Sequence, residues 1–362
     1  MTNRLKNLKL KLQFTGWLQY IIPTILAFIL LLIALVFGLI HLTTLFYTFL
    51  GMGALLISIN IFDILTVKYN VRPKESLPKR RDNLNEFDLM RARTACRSFQ
   101  NRLLREHDRN ELFEEINRVL KSQNDNIGNN DIRFEYVNER LTVWPVVGAQ
   151  EFIVAIAPKE YDRLSVIDVG RNLQKVVHSA TRMGLATCWI GPGADQSSII
   201  DTLGVKFNSD SDHIICVTAI GYKSIFKPFV LRLATIPQHR RLLISKLFSV
   251  NDSSNPLNED LPPFDKFGRC FEVCQWAPSS FNNQPTRAIV RTNEHKTKVE
   301  RVDFYANIQS RFYAPVALGI WLANWEIGCE ALRIEGKFQA LNPNISEKTF
   351  NSPGYDVSWI RL

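Results

Sequence analysis

Two uncharged apolar runs near the start of the chain constrain it most. Residues 16–40 and 42–62 contain no Lys, Arg, Asp or Glu, and the second run continues to Val67 with only Asp63 interrupting. Each is long enough to cross a bilayer as a helix, and His41 marks the short turn between them. A secretory signal peptide is excluded, because the first run is too long for its apolar region and lacks a small-residue cleavage site. The formal net charge is +9. Arg4, Lys6, Lys9 and Lys11 on one side, and Lys68, Arg72, Lys74, Lys79, Arg80 and Arg81 against Glu75 on the other, account for the whole excess. A basic balance confined to the flanks of an apolar hairpin points to lipid headgroups as partner and away from nucleic acid. The connecting turn has no Lys or Arg, so the N-terminus and everything after residue 68 are expected in the cytoplasm, on a multi-pass anchor. Trp17 and Tyr20 fit a headgroup belt, and Pro23 sits where a missing helix N–H matters least. Asp63 reads as an acid reaching interfacial water near the cytoplasmic end. The hairpin is too apolar for a transport path and is expected to be an anchor.

Beyond residue 68 the chain reads as mixed α and β. The six cysteines, Cys96, Cys188, Cys216, Cys270, Cys274 and Cys329, are scattered and read as reduced thiols of a reducing compartment. Cys270 and Cys274 have no histidine beside them, and no metal site is expected. Helices are expected over 86–97, 109–120, 165–183 and 314–332, and a shorter one carries Phe271, Val273 and Trp276. Strands are expected over 141–144, 151–157, 213–221 and 288–290. In the longest helix, Val166, Val169, Leu173, Val176, Val177, Ala180 and Met183 recur at spacings of three and four, and Gly184 follows as a stop. The segment 124–131 reads as a loop and 249–268, rich in Ser, Asn, Asp and Pro, as a linker. The second half repeats the logic of the first, and residues 180–183 and 331–334 echo each other. The expected division is a basic N-terminus (1–15), the hairpin (16–67), a basic linker at the membrane face (68–85), half A (86–248), the linker 249–268 and half B (269–362).

Four stretches carry chemistry. Ala277-Pro278-Ser279-Ser280-Phe281-Asn282-Asn283-Gln284-Pro285 has no apolar period; its prolines fix the chain near each end, and its hydroxyls and carboxamides both donate and accept hydrogen bonds. It suits a flat heteroaromatic ligand with donors and acceptors along its edge, and it reads equally as a polar surface turn. Arg93 and Arg97, four apart, are expected on one helix face as a phosphate clamp, or as a solvated basic face. Residues 184–193, with Gly184, Gly191, Pro192 and Gly193, read as irregular backbone able to approach a ligand or as a structural turn. Cys188 has no base beside it in sequence and is not read as a nucleophile. A basic tail carries Arg232, His239, Arg240 and Arg241.

Together these strings resemble the nitroreductase-type flavoproteins. Residues 277–285 look like the family's A-P-S-x-x-N-x-Q-P loop, 91–99 like R-R-S-x-R-x-F, 184–191 like G-L-x-T-C-W-I-G, and 239–242 like a late R-K/R-P-L element. The family's hydroxyl position in the second string is Ala95 here, with Thr94 beside it, and Leu242 stands at the proline position of the last. The resemblance implies an α+β fold, an α/β sandwich built from two half-units in one chain and preceded by two transmembrane helices. The first two motifs lie in half A and the loop in half B, as in tandem relatives where two half-units imitate the family's homodimer; a monomeric pseudo-dimer with one FMN is therefore expected. By the same resemblance Arg93, Thr94, Arg97 and Arg240 hold the phosphate, with Arg241 a weaker choice. Cys188 and Trp189 line the pocket, the main chain of Ile190 and Gly191 meets flavin N5, and Pro278, Ser279, Ser280, Asn282 and Gln284 meet the ring and ribityl chain. The implied activity is hydride transfer from NAD(P)H through FMN to a small or quinone-like acceptor, with no catalytic side chain. A flavin or nucleotide sensor without turnover, or a membrane-bound scaffold that keeps the fold, are the alternatives.

Overall fold

The computed structural model describes residues 14–121, 125–191, 193–235, 240–341 and 354–362. Arg4, Lys6, Lys9, Lys11, Asn124, Pro192 and His239 lie outside the described residues.

The two apolar runs form antiparallel helices, α1 (Gln19–Leu39) and α2 (Thr43–Asp63). Both are long and apolar enough to cross a membrane, and they leave large apolar side chains such as Ile25, Phe28, Leu32 and Leu55 exposed. Where they touch, they are tied by one polar side chain: Asn60 donates to the Tyr20 carbonyl (3.0 Å) and to Thr24 Oγ1 (2.7 Å). Asp63 does not reach for water as expected. It is 4% exposed and accepts the Phe229 N–H at 2.7 Å, at the start of a later helix. A helix N-terminus has unpaired N–H groups, and a buried carboxylate needs donors, so each satisfies the other.

The basic segment 68–85 is likewise not a free tether. Arg72 pairs with Glu75 (3.3 Å) and donates to Ser224 Oγ (2.7 Å), and Glu75 accepts the Ile225 N–H (2.6 Å). Arg81 N–H donates to the Arg182 carbonyl (2.8 Å), and Gly184, at φ +82°, sits so close that a Cβ there would lie 2.5 Å from the Lys79 carbonyl oxygen. Only glycine allows that turn and that approach together.

The remainder is an α+β structure in two halves. The first contains α3 (Glu86–Ala92), α4 (Glu106–Lys121), β1 (Arg133–Val137), β2 (Glu151–Pro158), α5 (Arg163–Arg182), β3 (Ala186–Ile190), α6 (Gln196–Leu203), β4 (Asp212–Gly221) and α7 (Phe229–Thr235). The second contains α8 (Ile244–Leu247), β5 (Phe248–Val250), α9 (Arg269–Gln275), β6 (Thr286–Thr292), β7 (Val299–Ala306), α10 (Tyr313–Ala331), β8 (Gly336–Gln339) and β9 (Tyr355–Arg361). The sheets have orders β1-β2-β4-β3 and β5-β6-β7-β9-β8. Every pair is antiparallel except β5 with β6. Removing β5 leaves β6-β7-β9-β8, the order of the first sheet, and in both halves a long helix follows the second strand. The internal repeat is therefore topological: β1, β2, α5, β3 and β4 correspond to β6, β7, α10, β8 and β9.

The two long helices cross at glycine. A Cβ on Gly170 would lie 2.3 Å from the Val316 carbonyl oxygen, and one on Gly319 2.0 Å from that of Ile167. Backbone meets backbone here because neither residue has a side chain. Beside the crossing, Arg171 donates to Glu326 at 2.6 and 2.9 Å, and Lys175 reaches the same carboxylate at 2.8 Å. One apolar core lies between the first sheet and its helices, another on that sheet's opposite face, and a third fills half B with Trp321, Trp325 and Trp359. Phe87 and Met90 of α3 belong to this third core.

Three expectations change here. The helix 86–97 ends at Ala92; Arg93 has extended backbone, and Ala95 pairs with Thr187 of β3. Residues 141–144 form no strand, only a single bridge from Val143 to Ala194. The segment 249–268 belongs to half B's core: β5 joins its sheet, and Leu257, Phe264 and Phe267 are buried. Its apolar residues are too sparse to show a period, yet all of its Val, Leu and Phe residues except the exposed Leu261 are placed inside.

Candidate functional site

The arginine string runs extended beside β3. Cys96 N–H donates to the Thr187 carbonyl (2.8 Å), and Phe99 N–H to that of Val147 (2.9 Å). Residues 93, 95 and 97 share a side of an extended chain just as 93 and 97 would share a helix face. Arg97 lies beside the Cys188 thiol, and Arg93 lies close enough to feel both that thiol and Arg241. Thr94 and Ala95 are exposed.

Arg93 is the electrostatic centre. Its Nη1 is sealed from solvent and makes no hydrogen bond. Burial, and then the neighbouring Arg241 guanidinium, push its pKa down to about 10. It stays charged at neutral pH, with another cation facing it. Arg241 is lowered as well, by burial first and then by Arg91. It donates to the carbonyls of Ala277 (3.0 Å) and Trp276 (3.3 Å), and its Nε is buried without a partner. The Arg91 guanidinium lies 3.6 Å from the Trp276 ring centre and its Nε 3.1 Å from Glu272. The motif arginines of half A thus meet the start of the 277–285 loop of half B, with Arg241 between them. Arg240 itself is exposed and contributes its carbonyl.

That carbonyl is what the loop holds. Asn282 Nδ2 and Gln284 Nε2 donate to Arg240 O at 2.9 and 3.1 Å, and Gln284 Oε1 accepts the Leu242 N–H at 2.8 Å. Ser279 Oγ accepts the Gln284 N–H at 2.9 Å. Pro278 and Ser280 are half-buried. The clasp forces Phe281, Asn282 and Gln284 into positive φ, and Phe281 is 66% exposed. Backbone strain of this kind, on the order of 1–3 kcal/mol per residue, collects at ligand-handling loops.

β3 supplies the floor. Successive residues face opposite ways: Cys188 and Ile190 pack with Cys96 and Phe99, while Trp189 packs against the other two cores. A ligand on one face meets only one of Cys188 and Trp189 through its side chain. The Trp189 indole Nε1 is also buried without a partner. Gly191 follows, and a Cβ there would lie 2.9 Å from the Tyr313 ring, so the first turn of α10 covers this bend. Burial pushes the Cys188 thiol up to about 11, against the pull of Arg97 and Arg93, so it is protonated at neutral pH and is not a nucleophile. All six cysteines are buried and unbridged, and no described His, Cys, Asp and Glu residues are grouped to hold a metal.

Trp276, Tyr313 and Lys227, which burial and then Arg97 lower, had no motif to announce them. They come from helix ends and a connection far apart in sequence. The opposite, pseudo-symmetric position is closed: in the described part of the loop before β1, the N–H groups of Ile127 and Gly128 donate to buried Asp168 (2.9 and 2.7 Å), and Arg171 binds the Asp125 carbonyl (2.8 Å). Burial, opposed by those two N–H groups, pushes the Asp168 carboxyl up to about 6.

A family model described as "Putative TM nitroreductase" matches residues 85–329. No curated protein matches the chain. Among solved structures, a "putative nitroreductase" of Thermotoga maritima is 18% identical, with a TM-score of 0.46 over 76% of this chain and 94% of that one. A nitroreductase family protein from Clostridium novyi is 17% identical (TM-score 0.32; 39% and 87% covered). A nitroreductase with bound FMN from Desulfitobacterium hafniense is 19% identical (TM-score 0.31; 40% and 93%). The family match begins at α3, just after the basic segment, and takes in the arginine string, the β3 turn and the 277–285 loop: this chain belongs to that nitroreductase family.

Proposed function

We propose that the chain is a membrane-anchored, FMN-dependent NAD(P)H oxidoreductase with one composite flavin site per chain, facing the cytoplasm. The observation that carries this reading is the set of buried N–H donors without partners, Arg93 Nη1 and Arg241 Nε, held between two cations where the halves meet. A buried guanidinium with no counter-charge is unfavourable, and a phosphate monoester supplies both the charge and the acceptors. The residues present therefore fit FMN. Arg93, Arg97 and Arg241 would hold its phosphate, Trp189 Nε1 and the Ile190–Gly191 main chain its ring system, and Pro278, Ser279, Ser280, Asn282 and Gln284 would frame the ring edge and ribityl chain. FMN, when bound, takes hydride from NAD(P)H and passes the electrons to an acceptor. The chain's own groups neutralise, orient and exclude water; Cys188, protonated and buried, moves no proton. Arg241, rather than the exposed Arg240, is the second arginine of the phosphate site in this reading, and the Arg240 carbonyl organises the loop.

The two exposed apolar helices support a membrane anchor, and an anchor makes a lipid-soluble, quinone-like acceptor reasonable. One observation favours a second reading, flavin binding without turnover: Asn282 and Gln284 already bond the Arg240–Leu242 backbone. Anaerobic addition of NADH or NADPH to the flavin-loaded chain separates the two. Bleaching near 450 nm, reversed by a quinone, is expected; a flavin that stays oxidised with both donors would leave only the binding role.

A further inference from the structure

A cavity of about 310 Å³ lies where the hairpin meets half A, outside the proposed flavin site. Its walls come from the start of α1, the chain just after α2, Asn101 and residues 140–152. Three features define its chemistry. It is lined by two cations, Lys68 and Arg140, and by no carboxylate. Gln19 and Tyr20, each 2% exposed, line it too, and the Gln19 Oε1 and the Tyr20 hydroxyl make no hydrogen bond. Apart from Asn101, its remaining wall is apolar, with Leu141, Val146 and Phe152 among the lining residues.

We propose that this cavity seats the headgroup of an anionic phospholipid from the leaflet the hairpin enters, a proposal that rests on the anchoring part of the functional reading and not on the flavin. The phosphate diester is the counter-charge Lys68 and Arg140 lack within the cavity. The Tyr20 hydroxyl donates to it, and a headgroup hydroxyl is the donor that Gln19 Oε1 lacks. The volume admits a headgroup and not a whole lipid, so the acyl chains lie along the exposed apolar side chains of the hairpin, such as Ile22 and Leu26. Trp17, with its ring 5.2 Å from Lys68 Nζ and 6.3 Å from the Tyr69 ring, stands at the same depth, where aromatic residues collect at membrane interfaces. Arg140 holds its position by donating to Asn101 Oδ1 at 2.8 Å, and it is exposed, so its replacement leaves the core untouched.

The test uses the full chain in phosphatidylcholine nanodiscs doped with phosphatidylglycerol, extracted in mild detergent and weighed by native mass spectrometry. One phosphatidylglycerol retained per chain is expected, about tenfold over phosphatidylcholine, and Arg140→Gln and Tyr20→Phe are each expected to lower that preference about five- to tenfold. Equal retention of the two lipids would overturn the proposal, as would variants that keep the wild-type preference. Displacement of the lipid by excess inorganic phosphate, with phosphate retained in its place, would overturn it in favour of a soluble phosphate ligand. Flotation of the chain with pure phosphatidylcholine vesicles reports anchoring alone, so a failed anchor and a failed headgroup site give different results.

Discussion

An arginine held charged in a sealed position with another cation facing it destabilises the chain that carries it. Arg93, half-buried with its Nη1 sealed, approaches that position, so Arg93→Leu is expected to raise the thermal unfolding midpoint of the flavin-free chain, by about 1 kcal/mol or roughly 2–4 °C. The same change is expected to abolish FMN retention. A variant less stable than its parent without flavin would show that the guanidinium has a structural partner instead. Asp168 offers a pH test. Its carboxyl, pushed up to about 6 from an ordinary 3.8, binds a proton more tightly folded than unfolded. Its contribution is therefore full below about pH 4 and lost as pH rises through about 6, a fall on the order of 3 kcal/mol. Asp168→Asn keeps an acceptor for the Ile127 and Gly128 N–H groups and is expected to flatten urea-midpoint profiles across that window. At this scale the chemistry was legible from residue types, and the conformation was not. Spacing by four puts Arg93 and Arg97 on one side of a helix or of an extended chain, so the pattern cannot say which. The pairing with β3 that decides it comes from residues almost a hundred positions away. The reach of Arg241 to the carbonyls of Trp276 and Ala277 had no local signal either.

Helices are where local pattern and observed structure agree best. Apolar spacing of three and four, with a stop residue, located α4, α5 and α10 to within a few positions. Short strands were poorly legible: β1, β7, β8 and β9 mix charged with apolar residues, and β3 hides among glycines. Their pairing is long-range, and no local period encodes it. Position 319 tests the α5–α10 crossing. A methyl there would sit 2.0 Å from the Ile167 carbonyl oxygen, so Gly319→Ala must push two helices apart. A loss of about 1–3 kcal/mol is expected, along with weaker flavin retention, since the halves that share the site move together. An unchanged denaturation midpoint would mean that the helices do not cross this closely. Glu326→Ala, which strips buried Arg171 of its closest carboxylate and leaves it the Asp125 carbonyl and Asp168 at 3.9 Å, is expected to lose about 2–3 kcal/mol in the same assay.

Beyond the hairpin, the described molecule is a repeat of two half-units whose related positions are filled differently. Two half-units share strand order and central helix, yet the arginine string occurs in one half and the hydroxyl- and amide-rich loop in the other. The position related by pseudo-symmetry is closed by Asp168 and Arg171. This arrangement was visible in the order of the motifs, although the sequence echo at residues 180–183 and 331–334 is far fainter than the topological one. The hairpin was the plainest feature of the chain, but its base was misread: Asp63, Arg72 and Glu75 bind half A instead of facing water or lipid. Segment 68–85 is part of the folded unit, and the measurement that matters most should keep it. That measurement is the visible spectrum of the full-length chain purified in detergent, with any chromophore released and identified. The account predicts a yellow protein that releases about one FMN per chain, and loses it on Arg93→Leu. A folded chain that is colourless and takes up no added FMN would contradict it.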